Sequence, residues 1–237
     1  MQPALLSLKV FCRFMPMIPT RQLAAIKFTD MVGYTALMQQ NEQLAIQKRN
    51  RNKAIFDKAL TKFEGRLLQS YGDGTMSIYS SAVNAIKSAI ETQTLCRQEQ
   101  IELRIGIHIG DVLTDDNGVY GDSVNVASRI ESLAVPGSIF ISEKLFDDVK
   151  NHEGITAKSM GFFELKNVKQ PIQVYAISNE GIIVPSREDV KGKLKQTVNS
   201  IAVLPFASLS SDPENEFFCD GITEELLNVL AKMEGLQ

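Results

Sequence analysis

Apolar and polar positions alternate over residues 24–29 (AAIKFT), a spacing that predicts a strand. Asp30, Met31, Val32 and Gly33 follow as a turn into a helix. Over residues 42–63 the pattern is helical, with Phe56, Leu60 and Phe63 on one stripe and Gly65 as a stop signal. Residues 66–71 and 75–79 read as two strands joined by Gly72-Asp73-Gly74, a hairpin signal. Ser81 can cap the next helix, where Ala82, Ala85, Ile86, Ala89 and Ile90 recur at helical spacing.

Alternation is strict over residues 103–110 (LRIGIHIG). Leu103, Ile105, Ile107 and Ile109 share one face; Arg104, Gly106, His108 and Gly110 share the other. A polar loop over 114–121 leads to a helix over 123–133. Pro136-Gly137 turns into a strand over 138–142, and a short helix follows over 143–149. Residues 161–177 form a hairpin turning around 167–171. Helices that alternate with strands and hairpins predict an α/β sandwich, with helices packed on a mixed, mainly antiparallel sheet. Residues 179–199, with proline and charges but no periodicity, read as a linker. Residues 200–206 (SIAVLPF) then read as a strand and 221–233 as a helix. This last piece is too short to fold alone and has the pattern of the opening βα unit of a second domain.

Bulk properties narrow the function classes. A net charge of −3 excludes the basic footprint of a nucleic-acid binder. Cys12, Cys96 and Cys219 are few and scattered, which fits free thiols in a reducing, cytoplasmic compartment. The first twenty residues are apolar but broken by Lys9, Arg13, Pro16 and Pro19, so neither a membrane span nor a secretory signal is expected; they read as a disordered leader.

Three stretches could carry chemistry. In FTDMVGYT (28–35) a strand delivers Asp30 to a turn whose main-chain N–H groups suit phosphate, while the carboxylate can hold a cation shared with it. The same aspartate could simply cap a helix. In SYGDGTM (70–76) a hairpin tip could carry Asp73 to Asp30, and two carboxylates at one pocket are tolerable with cations between them. Asp-Gly is also a common turn on its own. In YGDSVNVASRI (120–130) Asn125 and Arg129 lie four apart on one helix face, an amide and a guanidinium suited to an oxyanion, or else a solvated polar face. Arg104 and Lys166 are further cations that could hold a triphosphate or be ordinary surface charges.

The order FTDMVGYT, GDG, LRIGIHIGD, YGDSVNVASRIES, ELKNV over residues 21–178 resembles the catalytic domain of class III adenylate and guanylate cyclases. The resemblance implies a ferredoxin-like α/β core and a head-to-tail homodimer with active sites at the interface. It implies that Asp30 and Asp73 hold two Mg²⁺ or Mn²⁺ ions and that the Gly33-Tyr34-Thr35 turn meets phosphate. It further implies that Arg104 and Lys166 bind the β- and γ-phosphates, and that Asn125 and Arg129 of the partner orient the ribose and stabilise the transition state. The substrate would be a nucleoside triphosphate, ATP foremost, and the product a 3′,5′-cyclic nucleotide with pyrophosphate. Two base-reading positions depart from the adenylate cyclase pattern. Gln69 stands where a lysine is usual, and Gly118 where an aspartate or threonine is usual. That departure motivates an alternative, a nucleotide-sensing or dimerisation module with weak catalysis. Residues 200–237 resemble the start of a TolB-amino-terminal-like domain, which implies a bacterial multidomain signalling protein.

Overall fold

The computed structural model describes residues 20–115, 118–190, 203–204, 206 and 213–230. Contacts divide the chain into two units, 1–195 and 196–237. The first unit begins with β1 (Thr20–Met31), α1 (Tyr34–Gln40) and α2 (Glu42–Lys62). The hairpin β2 (Arg66–Tyr71) and β3 (Gly74–Tyr79) follows, then α3 (Ala82–Gln98), β4 (Leu103–Asp115), β5 (Gly118–Tyr120) and α4 (Asp122–Leu133). The unit closes with β6 (Ile139–Ser142), α5 (Glu143–Val149), β7 (Ala157–Phe163) and β8 (Ile172–Ile177). Short polar side chains open α2, α3 and α5: Asn41 accepts from Leu44 N at 3.0 Å, Ser81 from Asn84 N at 3.3 Å and Ser142 from Leu145 N at 3.4 Å.

The expected mixed sheet is present. Strand order is β2-β3-β1-β4-β6-β8-β7, with β5 added beside β4. Only β4 and β6 run parallel; the other pairs are antiparallel. Leu103, Ile105 and Ile107 are fully buried in a core shared with Ile86 and Ala89 of α3 and Leu145 of α5. Each such side chain contributes about 1.5–3 kcal/mol of burial. The other face of β4 is covered by α4, through Val126, Ala127 and Ile130.

Two glycines set how closely α4 approaches. A Cβ on Gly106 would lie 2.1 Å from Glu131 N, and one on Gly110 would lie 2.1 Å from Ser123 Oγ. Four strand residues span about 13 Å and eight helical residues about 12 Å, so α4 runs back along β4 nearly in line. The alternation of LRIGIHIG thus has a different cause on each face, apolar burial on one and helix contact on the other.

Several boundaries differ from the sequence reading. The residue with left-handed backbone after α2 is Glu64, at φ 55°. Gly65 is required for space instead, because a Cβ there would meet the Tyr79 ring at 2.4 Å. The polar loop expected over 114–121 is largely strand, since β4 continues to Asp115 and β5 folds back on it. β7 starts at Ala157, before the expected 161. Residues 181–190, read as linker, place Ile182 and Val190 in the cores. Of the stretch 200–206 read as a strand, only 203, 204 and 206 are described, without regular structure, and the rest lies outside the described residues. The leader expected over 1–20 also lies outside them, except Thr20, which opens β1. In the second unit the helix expected over 221–233 is α6 (Pro213–Leu230), and Phe206 N donates to Thr223 Oγ1 at 3.2 Å.

Candidate active site

The β1–β4 register places Asp30 directly opposite Arg104, near the end of β1. The β1–β3 register pairs Thr29 with Thr75, so the Gly72-Asp73 hairpin tip lies beside the same end. Thr29 Oγ1 and Thr75 Oγ1 are hydrogen-bonded at 2.7 Å across that pair. Gly72 adopts φ 60°, which lets the two-residue loop close. The Asp73 carboxyl receives hydrogen bonds from the main chain at Asp73 and Met31 and feels the charges of Asp30 and Arg104. Burial is the largest influence on it; with the Asp30 charge it outweighs the others and raises Asp73 above its ordinary range.

Arg104 donates to Asp30 Oδ2, and its Nε faces Glu131 Oε1 at 3.4 Å without an aligned hydrogen bond. Burial acts to lower the Arg104 pKa, but the hydrogen bond to Asp30 and the charges of Glu131, Asp30 and Asp73 raise it overall. Burial pushes the Glu131 carboxyl up to about 7; Arg104 opposes this, while Asp30 and Asp73 add to it. Sequence reasoning missed Glu131. It lies two residues after Arg129, about 200° round the helix, so the outward Arg129 implies an inward Glu131.

The remaining candidates are dispersed. Asn125 and Arg129 are both exposed on α4 and make no hydrogen bond or ion pair among the described residues. Lys166 is exposed in the β7–β8 connection. β7 lies four strands from β1, and the start of β8 lies toward the far end of β4 from Arg104. One chain therefore keeps Lys166 apart from Asp30. Gly33 begins α1 at φ 73°, Thr35 is exposed, and Tyr34 packs against the first core. Gln69 is half-buried on β2 opposite Met76, beside a register shift. Gly118 sits at φ 149°, where a side chain would be strained, and its N–H donates to Asp115 Oδ1 at 3.0 Å.

Asp30 and Asp73 offer an all-oxygen donor set of the kind Mg²⁺ and Mn²⁺ take. Among the described residues no group of three or more His, Cys, Asp and Glu could hold a metal ion. Two carboxylates without a third protein ligand fit a cation that also takes phosphate and water oxygens.

The sequence pattern of the adenylate and guanylate cyclase catalytic domain matches residues 18–179, and the chain belongs to that family. The protein named Putative adenylate cyclase 3 of Rhizobium meliloti is 35% identical over 91% of this chain, which spans 39% of that relative's length. The human guanylate cyclase soluble subunit beta-2 is 26% identical over 78% of the chain, which spans 33% of it. Among solved structures, the adenylate/guanylate cyclase/hydrolase of Silicibacter pomeroyi is 30% identical with a TM-score of 0.63. That match covers 69% of this chain and all of the other. The adenylyl cyclase CyaB of P. aeruginosa shares the fold, with a TM-score of 0.62 at 23% identity, over 73% of this chain and all of that one. No helix among the described residues is long and apolar enough to cross a membrane.

Proposed function

We propose that the chain converts a nucleoside triphosphate, ATP foremost, to its 3′,5′-cyclic nucleotide and pyrophosphate. The observation that carries this reading is the meeting of Asp30, Asp73 and Arg104 at one end of β1, while Asn125 and Arg129 stand exposed and unpaired on α4. Asp30 and Asp73 would hold two Mg²⁺ or Mn²⁺ ions. When bound, these supply Lewis acidity to the ribose 3′-hydroxyl and neutralise phosphate charge. Arg104 leaves Asp30 for the triphosphate, remaining close to Glu131. Lys166 of the partner subunit and the Gly33-Tyr34-Thr35 turn complete the phosphate contacts. Asn125 and Arg129 of the partner subunit orient the ribose and stabilise charge on the α-phosphoryl group as the 3′-oxygen attacks. The active form is a head-to-tail homodimer with two sites, in a cytoplasmic bacterial signalling protein whose residues 200–237 open a TolB-like domain.

A product assay with ATP and GTP separately, in Mg²⁺ and in Mn²⁺, tests this, with Asp30→Ala as the blank. Cyclic nucleotide absent from the blank supports the reading. A second reading, a nucleotide-sensing or dimerisation module with weak catalysis, draws on Gly118, which puts no side chain where the base would be read. Nucleotide binding without turnover in a protein shown to be dimeric would favour it.

A further inference from the structure

A cavity of about 450 Å³ opens on the α2–α3 side of the sheet, behind the turn that follows Asp30. Its wall includes Met31 and Tyr34, and its polar lining is Lys48, Gln93, Arg97, Gln100 and Glu102. The volume lies within the range of small-molecule sites.

Gln93 is 2% exposed, and its Nε2 donates to Leu103 O at 3.2 Å. Its carbonyl oxygen, Oε1, is buried and has no partner among the described residues. A buried acceptor without a donor is unfavourable unless a water or a ligand supplies one. Lys48 Nζ donates to Gln100 O at 2.7 Å and Arg97 Nη1 to Gly181 O at 3.0 Å. Neither cation forms an ion pair with a carboxylate among the described residues, so both can take an anionic partner. Glu102 lines the same cavity, which disfavours a strongly anionic occupant and favours one that also carries N–H donors.

We infer that this cavity is a binding site for a small amino-acid-like molecule. Its carboxylate is held by Lys48 and Arg97, and its N–H groups donate to Glu102 and to Gln93 Oε1, which a small turn of the amide brings to the cavity surface. The site is joined to the catalytic turn. Met31, Val32 and Tyr34 line the cavity directly after Asp30, and Val32 N donates to Glu102 O at 2.9 Å. Occupancy therefore steadies the segment that carries Asp30, Gly33 and Thr35. The binding claim stands apart from the cyclase reading, because its test needs no turnover.

The test titrates the full chain with the free amino acids and glycine-containing dipeptides, using their methyl esters as controls that lack the carboxylate. Binding is read by calorimetry, and protection of residues 31–37 by hydrogen exchange. At least one probe is expected to bind, its ester about tenfold or more weaker. The same loss is expected in Lys48→Ala and Arg97→Ala, which lie at the rim and leave the core intact, and in Gln93→Met. Exchange over 31–37 should slow with the bound probe. No binding up to about 10 mM, binding indifferent to Lys48→Ala and Arg97→Ala, or unchanged exchange over 31–37 would each overturn the proposal.

Discussion

Asp30, Asp73, Arg104 and Glu131 crowd together within one chain, whereas Asn125 and Arg129, on the helix that supplies Glu131, touch none of them. The crowded group carries its own counter-charges and is half-buried; the helix pair is exposed and uncompensated. One face of α4 completes a site of its own chain, and the other offers donors outward. On the proposed reading, another chain brings the outward pair to the crowded one, as a head-to-tail dimer would.

The largest expected effect breaks that division directly. Asp30→Ala and Asp73→Ala should each reduce cyclic nucleotide to background, and Arg129→Ala should lower kcat by about 10²–10³. Mixing equal amounts of Asp30→Ala and Arg129→Ala chains, after dissociation and reassociation, should restore about a quarter of the wild-type rate. Half of the randomly formed dimers are mixed, and each mixed dimer has one intact site of two. A mixture no more active than its better parent would mean that each chain builds its whole site alone.

Next in size is the seat of α4. Gly106→Ala would put a methyl group against the Glu131 main chain, 2.1 Å from N, where no side-chain rotation relieves it. The helix must shift, at a cost of about 1–3 kcal/mol. Chemical denaturation would measure this, and turnover per folded dimer should fall as Glu131 leaves Arg104. An unchanged denaturation midpoint would show that the close approach is not needed.

The contrast also separates what the sequence made legible from what it did not. Strand and helix types over β1 to β8, β5 excepted, follow from period and turn signals, and Asp30, Asp73 and Arg104 do meet. Glu131 stayed hidden because its role depends on how near α4 lies to β4, which Gly106 decides by having no side chain. The extension of β4 and its pairing with β5 were masked by polar residues, since among the described residues of that hairpin Val112 and Val119 are the buried apolar ones and Thr114 is buried beside them. Ile182 and Val190 were unreadable for another reason: two buried residues in an irregular segment have no period. Base selection is less legible still. Gln69 lies on β2 with its amide able to donate or accept, so Gln69→Lys should move the ATP-to-GTP ratio of kcat/KM toward ATP, by about tenfold for one hydrogen bond. No change in the ratio would remove Gln69 from base reading.

The smallest effect concerns a third charge, three residues before Asp30 and on the opposite face of β1. Lys27 is fully buried, with Nζ 2.8 Å from Ser88 Oγ and about 5 Å from the ring centroids of Phe56 and Tyr79. No carboxylate among the described residues pairs with it, so burial pulls its pKa down to about 7, against the opposing influence of Cys96. The unfolded amine keeps its proton up to about pH 10. Between pH 7 and 9 the unfolded state therefore binds more protons than the folded one, and stability rises with pH by up to about 1.4 kcal/mol per unit. Below pH 7 both states are protonated and this slope vanishes. Above pH 9 the Cys96 thiol, pushed up to about 12 chiefly by burial, gives the opposite slope. Lys27→Met should flatten the rise between pH 7 and 9 and leave turnover per folded dimer unchanged, because Lys27 faces away from Asp30. A variant that keeps the wild-type slope would show that Lys27 holds its proton in the core. The aromatic rings would then be compensating a charge that, unlike those of the Asp30 cluster, has no ionic partner.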